Sequence, residues 1–128
     1  MDLSTVLQNT LSPDHATRQH ASAMLEEAAR NAGLASYLTT LVGLLSSDSQ
    51  PAPVRIAAGL AAKNALVNRR DAVKQAELAQ RWLELPKDCR TGIKAACLHA
   101  LSAPAAPVGT TAAQIVAAIG CVELAVQE

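Results

Sequence analysis

Three stretches of the chain align with one another without gaps: Pro13-Asp14-His15-Ala16-Thr17-Arg18-Gln19-His20-Ala21, Gln50-Pro51-Ala52-Pro53-Val54-Arg55-Ile56-Ala57-Ala58, and Pro104-Ala105-Ala106-Pro107-Val108-Gly109-Thr110-Thr111-Ala112. Their anchors, Arg18, Arg55 and Gly109, stand 37 and 54 residues apart. Residues 71–85, DAVKQAELAQRWLEL, account for the longer interval, because they form a separate amphipathic segment with Val73, Ala76, Ala79, Trp82 and Leu83 near one face. With that insertion set aside the period is about 37 to 40 residues, the length of a unit of two helices that must stack on its neighbours to bury its apolar face.

Composition points to helices. Half the 128 residues are hydrophobic, yet aromatics make up 2%, with one Trp, one Tyr and no Phe, while about one residue in five is Ala. Strands draw on aromatic and β-branched residues, whereas Ala and Leu favour helix. With a period near 40, the expected fold is all-α, a solenoid of HEAT or armadillo type, and the HEAT-repeat α-solenoid, a right-handed superhelix of antiparallel helix pairs, is the expected class.

Along the chain, Leu3, Leu7 and Leu11 mark a short first helix. Ser12 is the expected N-cap and Pro13 the first position of the next helix, which runs to Gly33. Leu34, Leu38, Leu41 and Leu45 open a second pair, Ser46-Ser47-Asp48-Ser49-Gln50-Pro51 breaks it, and an Ala-rich helix continues from Pro53. Ile93, Cys97, Ala100 and Leu101 face one helix of a third pair, and Ala112, Ile115, Val116 and Ile119 the other. This divides the chain into repeat one at 1–32, repeat two at 33–70, an inserted helix at 71–85, repeat three at 86–120 and the start of repeat four at 121–128. That last segment is expected to begin a new helix without a partner, with Cys121, Val122 and Val126 frayed or covered by another copy.

Charge and motifs narrow the function. Eleven basic and eleven acidic side chains cancel, so no general attraction to nucleic acid or anionic membrane is expected. Basic residues are spread through the sequence, with Arg69-Arg70 the adjacent pair, which disfavours a DNA-gripping helical-repeat enzyme. No apolar run is read as long enough to insert in a membrane, and the N-terminus lacks a basic and then apolar leader pattern. Cys89, Cys97 and Cys121 suit reduced, buried thiols of a cytosolic or nuclear protein. His15 and His20 stand about 140° apart on a helix, and Cys97 and His99 point in different directions, so no metal pair is expected. With no phosphate loop, carboxylate pair or nucleophile elbow, the expectation is no catalytic residues, no cofactor and no enzyme.

Solenoids bind partners mainly along the surface lined by the second helix of each pair. There Lys63, Asn64 and Asn68 follow the Ala stripe as candidate partner contacts, and Arg69 and Arg70 end the segment. Arg18 and Arg55 hold equivalent places after Asp14 and Asp48, and are expected to pair with aspartates of neighbouring repeats and so set stacking register. Trp82 is expected to anchor the inserted helix through a buried ring.

The segments Ala21-Ser22-Ala23-Met24-Leu25-Glu26-Glu27-Ala28, Pro53-Val54-Arg55-Ile56-Ala57-Ala58-Gly59-Leu60, Lys63-Asn64-Ala65-Leu66, Gln80-Arg81-Trp82-Leu83 and Gly109-Thr110-Thr111-Ala112-Ala113-Gln114 occur in an order and spacing that resemble the N-terminal HEAT repeats of the importin-β (karyopherin-β) family. The resemblance spans essentially the whole chain, with Ala62 and Gly109 departing from the family pattern. It implies a nuclear import receptor fragment that binds the small GTPase Ran in its GTP form. In the longer receptor, importin-α or cargo and FG nucleoporins would be further partners, in cytoplasm, nucleus and nuclear pore. The alternative is a generic HEAT-repeat interaction scaffold.

Overall fold

A computed structural model describes the backbone of residues 3–67, 70–103 and 106–126, and the side chains of all of these except residues 32 and 124–126. Every regular element among them is a helix: α1 (Leu3–Thr10), α2 (His15–Ser46), α3 (Ala52–Asn64), α4 (Ala72–Leu83), α5 (Lys87–Leu101) and α6 (Ala106–Val126). α1 packs on α2, α2 on both α3 and α5, α5 on α6, and α3 on α6. Short connections make consecutive helices antiparallel, and the contacts stack the pairs into two layers over one continuous core.

Local chemistry sets most boundaries. α1 buries Val6 and Leu7, but Leu11 falls past its end in a turn and is 50% exposed, so it is not part of the apolar stripe expected from the spacing. The N-cap of α2 is Asp14, not Ser12: its Oδ2 accepts Thr17 N–H at 3.0 Å and Thr17 Oγ1–H at 2.6 Å. Pro13 accordingly lies before the helix, and Ser12 Oγ accepts Asp14 N–H at 3.1 Å. The longer carboxylate arm reaches the third amide of the helix while Ser12 tightens the entry. These hydrogen bonds from Thr17, side chain first and then backbone, hold the Asp14 carboxyl below its usual value.

α2 is two helices joined at a kink, where Gly33 adopts φ 80° and ψ 155°. That conformation is accessible to glycine and strained for any side chain. Beyond it Tyr37, Leu38, Leu41, Val42 and Leu45 fill the core. α3 then starts behind Pro51 with Pro53 in its first turn and buries Val54, Ala58, Gly59 and Ala62. At Gly59 the second layer closes tightly: a Cβ there would collide with Thr111 Cγ2 of α6 and lie 3.2 Å from Leu45 Cδ1.

Residues 121–126 do not begin a new helix but continue α6. The helix runs through Gly120 without a break, and Val122, 3% exposed, extends the buried stripe of Val108, Ala112, Ile115 and Ile119. Cys121 is exposed, and the side chain of Val126 lies outside the described residues. Ala106–Glu123 is long and apolar enough to cross a membrane by length and composition, contrary to the expectation from the sequence. In the fold its apolar stripe is buried against α3 and α5.

Gly59→Ala should destabilise the fold by about 1–3 kcal/mol through overpacking. Gly43→Ala, in α2 with open space around the added methyl, should be neutral or stabilise by about 0.4–1 kcal/mol. Urea denaturation of both variants followed by circular dichroism checks the contrast.

Candidate functional site

The face formed by α3, α4 and α6 contains a groove of about 630 Å³. α3 contributes Lys63, α4 contributes Ala72, Gln75 and Ala79, and α6 contributes Gln114 and Cys121. Lys63 is half-buried in the last turn of α3, where its charge also complements the carbonyl end of the helix. Asn64 follows it on the exposed surface and does not line the groove. Asn68 and Arg69 lie outside the described residues, while Arg70 is exposed.

Among the described residues the two arginines do not pair across neighbouring repeats. Arg18 turns back on the loop before its own helix, donating from Nη1 to the Ser12 carbonyl at 3.1 Å and the Pro13 carbonyl at 3.2 Å, while Asp14 is occupied by its cap. Arg55 does the same one repeat later. It is 6% exposed, its Nε donates to the Leu45 carbonyl at 2.8 Å, and its Nη2 stands 3.6 Å from Asp48 Oδ1 in the adjoining loop. Both guanidiniums thus brace the connection inside a helix pair, Arg18 through two loop carbonyls and Arg55 through the Leu45 carbonyl at the end of α2 and the charge of Asp48. Gly109 occupies the equivalent place in α6, where a Cβ would lie 3.2 Å from the Leu101 carbonyl oxygen. There the backbone of the last turn of α5 fills the space that the guanidiniums occupy elsewhere.

Trp82 is fully buried, the sole buried residue of α4. Its Nε1–H donates to Glu123 Oε1 of α6 at 3.2 Å. Lys94 Nζ of α5 reaches the same carboxylate, 2.7 Å from Oε1 and 2.9 Å from Oε2. Glu123 therefore ties α4, α5 and α6 together. Burial opposes its charge, but the hydrogen bonds from Lys94 and Trp82 and the positive charges of Lys94 and Arg90 outweigh that and hold the carboxyl below its usual value. Reading the sequence missed Glu123, because it was placed in an unpartnered end. The available signal was the indole N–H itself, which needs an acceptor once buried.

Burial pushes the Cys97 thiol up to about 11, which leaves it protonated at neutral pH. Among the described residues no three His, Cys, Asp or Glu side chains gather as metal ligands.

Stacked helix pairs with internally braced loops, and a groove along the second helices, define an α-solenoid of the HEAT type. The profile of the Importin-beta N-terminal domain matches residues 21–103, and the chain belongs to the importin-β family. It is 38% identical over 128 residues to Importin subunit beta-1 of Schizosaccharomyces pombe, covering 100% of this chain and 15% of that protein. Against Importin subunit beta-1 of Arabidopsis thaliana it is 37% identical over 124 residues, covering 97% and 14%. The chain thus spans about 15% of the length of these relatives.

Among solved structures, importin β crystallised in an ammonium sulfate condition matches with a TM-score of 0.90 at 38% identity, over 97% of this chain and 14% of that one. Kap95p, in a structure described as its binding inducing the switch loops of RanGDP to adopt the GTP-bound conformation, matches with a TM-score of 0.89 at 30% identity, over 95% and 14%. A Kap95:Nup1 complex matches with a TM-score of 0.87 at 30% identity, over 95% and 14%.

Because Glu123 titrates lower in the folded than in the unfolded chain, its pairing stabilises the fold above its ordinary value of 4.5 and is lost as pH falls through the lower folded-state value. Trp82 emission followed through an acid titration should shift in that window, below 4.5. In Glu123→Gln the shift should be blunted.

Proposed function

We propose that this chain supplies part of the Ran-binding surface of an importin-β-type nuclear import receptor, acting by reversible binding and not by covalent chemistry. The observation that carries the reading is the match to Kap95p in its RanGDP structure at a TM-score of 0.89, together with membership of the family. The groove beside Lys63 supplies the surface. A half-buried lysine next to an exposed asparagine offers a charge and an amide to a polar protein partner at the rim of an apolar trough. Lys63 and Asn64 are the contacts of this reading, with Asn68 as their continuation.

In the same reading the units are repeat one at 1–32, repeat two at 33–70, the inserted helix at 71–85 and repeat three from 86 onwards, now carried to the end of α6. The longer receptor would meet FG nucleoporins, importin-α or cargo through surfaces beyond this chain, moving between cytoplasm and nucleus. The Nup1 complex of Kap95 supports the nucleoporin part. The protein is no enzyme and needs no cofactor in this reading, because its work is to exchange partners whose binding free energies are coupled.

Titration of the 128-residue chain with Ran carrying a non-hydrolysable GTP analogue, and in parallel with GDP, tests the reading by calorimetry. The GTP form should bind at least about tenfold more tightly, and Lys63→Ala with Asn64→Ala should weaken it by about 5- to 30-fold, the scale of one or two interface contacts. Absence of binding to either form by a sample with helical circular dichroism would overturn it.

A further inference from the structure

A second groove, of about 490 Å³, lies between the kink of α2 and the C-terminal part of α4, and neither Lys63 nor Asn64 lines it. Its apolar lining includes Leu34 of α2 and Leu78 and Leu85 from α4 and the turn after it. Where Gly33 turns the chain, nothing stands within 4 Å of the position a Cβ would take, so the kink leaves space beside these leucines.

The polar groups of the groove are poorly matched inside the fold. Arg30 comes from α2 and Arg81 from α4, both exposed. Among the described residues neither has a carboxylate within ion-pairing distance, in contrast to Arg55 and Lys94. Glu84, the acidic residue of the lining, already accepts the Gln80 amide at 3.3 Å, and Glu26, four residues before Arg30, does not line the groove. Tyr37 does line it and is 6% exposed. Among the described residues its hydroxyl has no hydrogen-bond partner. Burial first, and the charge of Glu26 second, push that hydroxyl above its usual titration range, which leaves it an uncharged donor at neutral pH. Buried hydroxyls are normally satisfied, so the partner of this one has to come from the groove.

We propose that this groove binds an acidic peptide segment of a protein partner. Carboxylates of the segment meet the guanidinium forks of Arg30 and Arg81 and accept the Tyr37 hydroxyl, while an aliphatic side chain beside them packs on Leu34, Leu78 and Leu85. Charge complementarity selects this occupant. Two guanidiniums without carboxylate partners at an apolar trough suit an anion carried on an apolar body. An inorganic anion would leave the leucines wet, and a neutral peptide would leave the guanidiniums unmatched. The site is separate from the surface read above as the contact with Ran.

Titration of the labelled 128-residue chain with the blocked peptide acetyl-Leu-Asp-Leu-Asp-Leu-amide, followed by amide chemical shifts, tests the proposal. The amides of Gly33, Leu34 and Leu85 should move, with a dissociation constant on the order of 0.1–1 mM. Arg30→Ala with Arg81→Ala should weaken binding at least about tenfold. Tyr37→Phe should weaken it about threefold to tenfold yet leave the urea midpoint unchanged or higher, because no internal hydrogen bond is lost. Lys63→Ala with Asn64→Ala should leave peptide binding as it was, so this proposal and the Ran reading fail separately. Still amides at about 5 mM peptide, well above that constant, would overturn the proposal. So would equal shifts from acetyl-Leu-Asn-Leu-Asn-Leu-amide, or from sodium sulfate at the same concentration. A fall in the urea midpoint of Tyr37→Phe would overturn it too, since the hydroxyl would then serve the fold.

Discussion

The close approach of α3 and α6 is the contact on which the stack depends. Gly59 of α3 meets Thr111 of α6 with no room for a methyl group, and Ala58, Ala62 and Ala112 are buried in the same core. Small side chains let two backbones approach closely, which brings many dispersion contacts to bear at once. This explains a composition rich in Ala and almost without aromatics. Large rings would hold the second layer apart, and the core clusters of successive pairs would no longer merge into one. The same economy of space recurs at Gly109, pressed against the Leu101 carbonyl.

The internal braces act at a different level. Arg18 satisfies two carbonyls of the loop before its helix and Arg55 the Leu45 carbonyl at the end of the preceding helix, so each pair carries its loop geometry with it. A register set inside each pair and a packing distance set between pairs are separable devices. α4 adds a further element, packed on α6 beside the groove that it shares with Lys63 of α3.

The architecture was legible in the sequence because it is periodic. Aligned prolines and alanines, with arginine at two of the three anchors, recur at about 37 to 40 residues once the inserted helix is set aside and report stacked helix pairs, and Gly33 reports a break that its positive φ requires. What escaped was the chemistry of single ends. Asp14 in place of Ser12 as cap depends on which oxygen reaches the Thr17 amide, and Leu11 looked like a third stripe position until the helix stopped at Thr10. The spacing suggests partners for Arg18 and Arg55 across repeats, whereas a guanidinium that folds back finds carbonyls nearer by. Glu123 was invisible for a deeper reason. Its role exists only because Trp82, 41 residues earlier, and Lys94, 29 residues earlier, converge on it in three dimensions. Of the candidate contacts, Lys63 lines a groove for reasons of helix phase that the sequence carried, while Asn64 points to the open surface.

The central claim is the register in which α3 meets α6, and a nuclear Overhauser spectrum of the labelled chain reads it directly. The Thr111 γ2 methyl should show a strong cross-peak to the Gly59 α protons, with a weaker one to the Leu45 δ methyls. A Thr111 methyl without a Gly59 cross-peak, in a spectrum where the Leu45 contact is present, would place α6 in another register and contradict the close approach on which the stack rests.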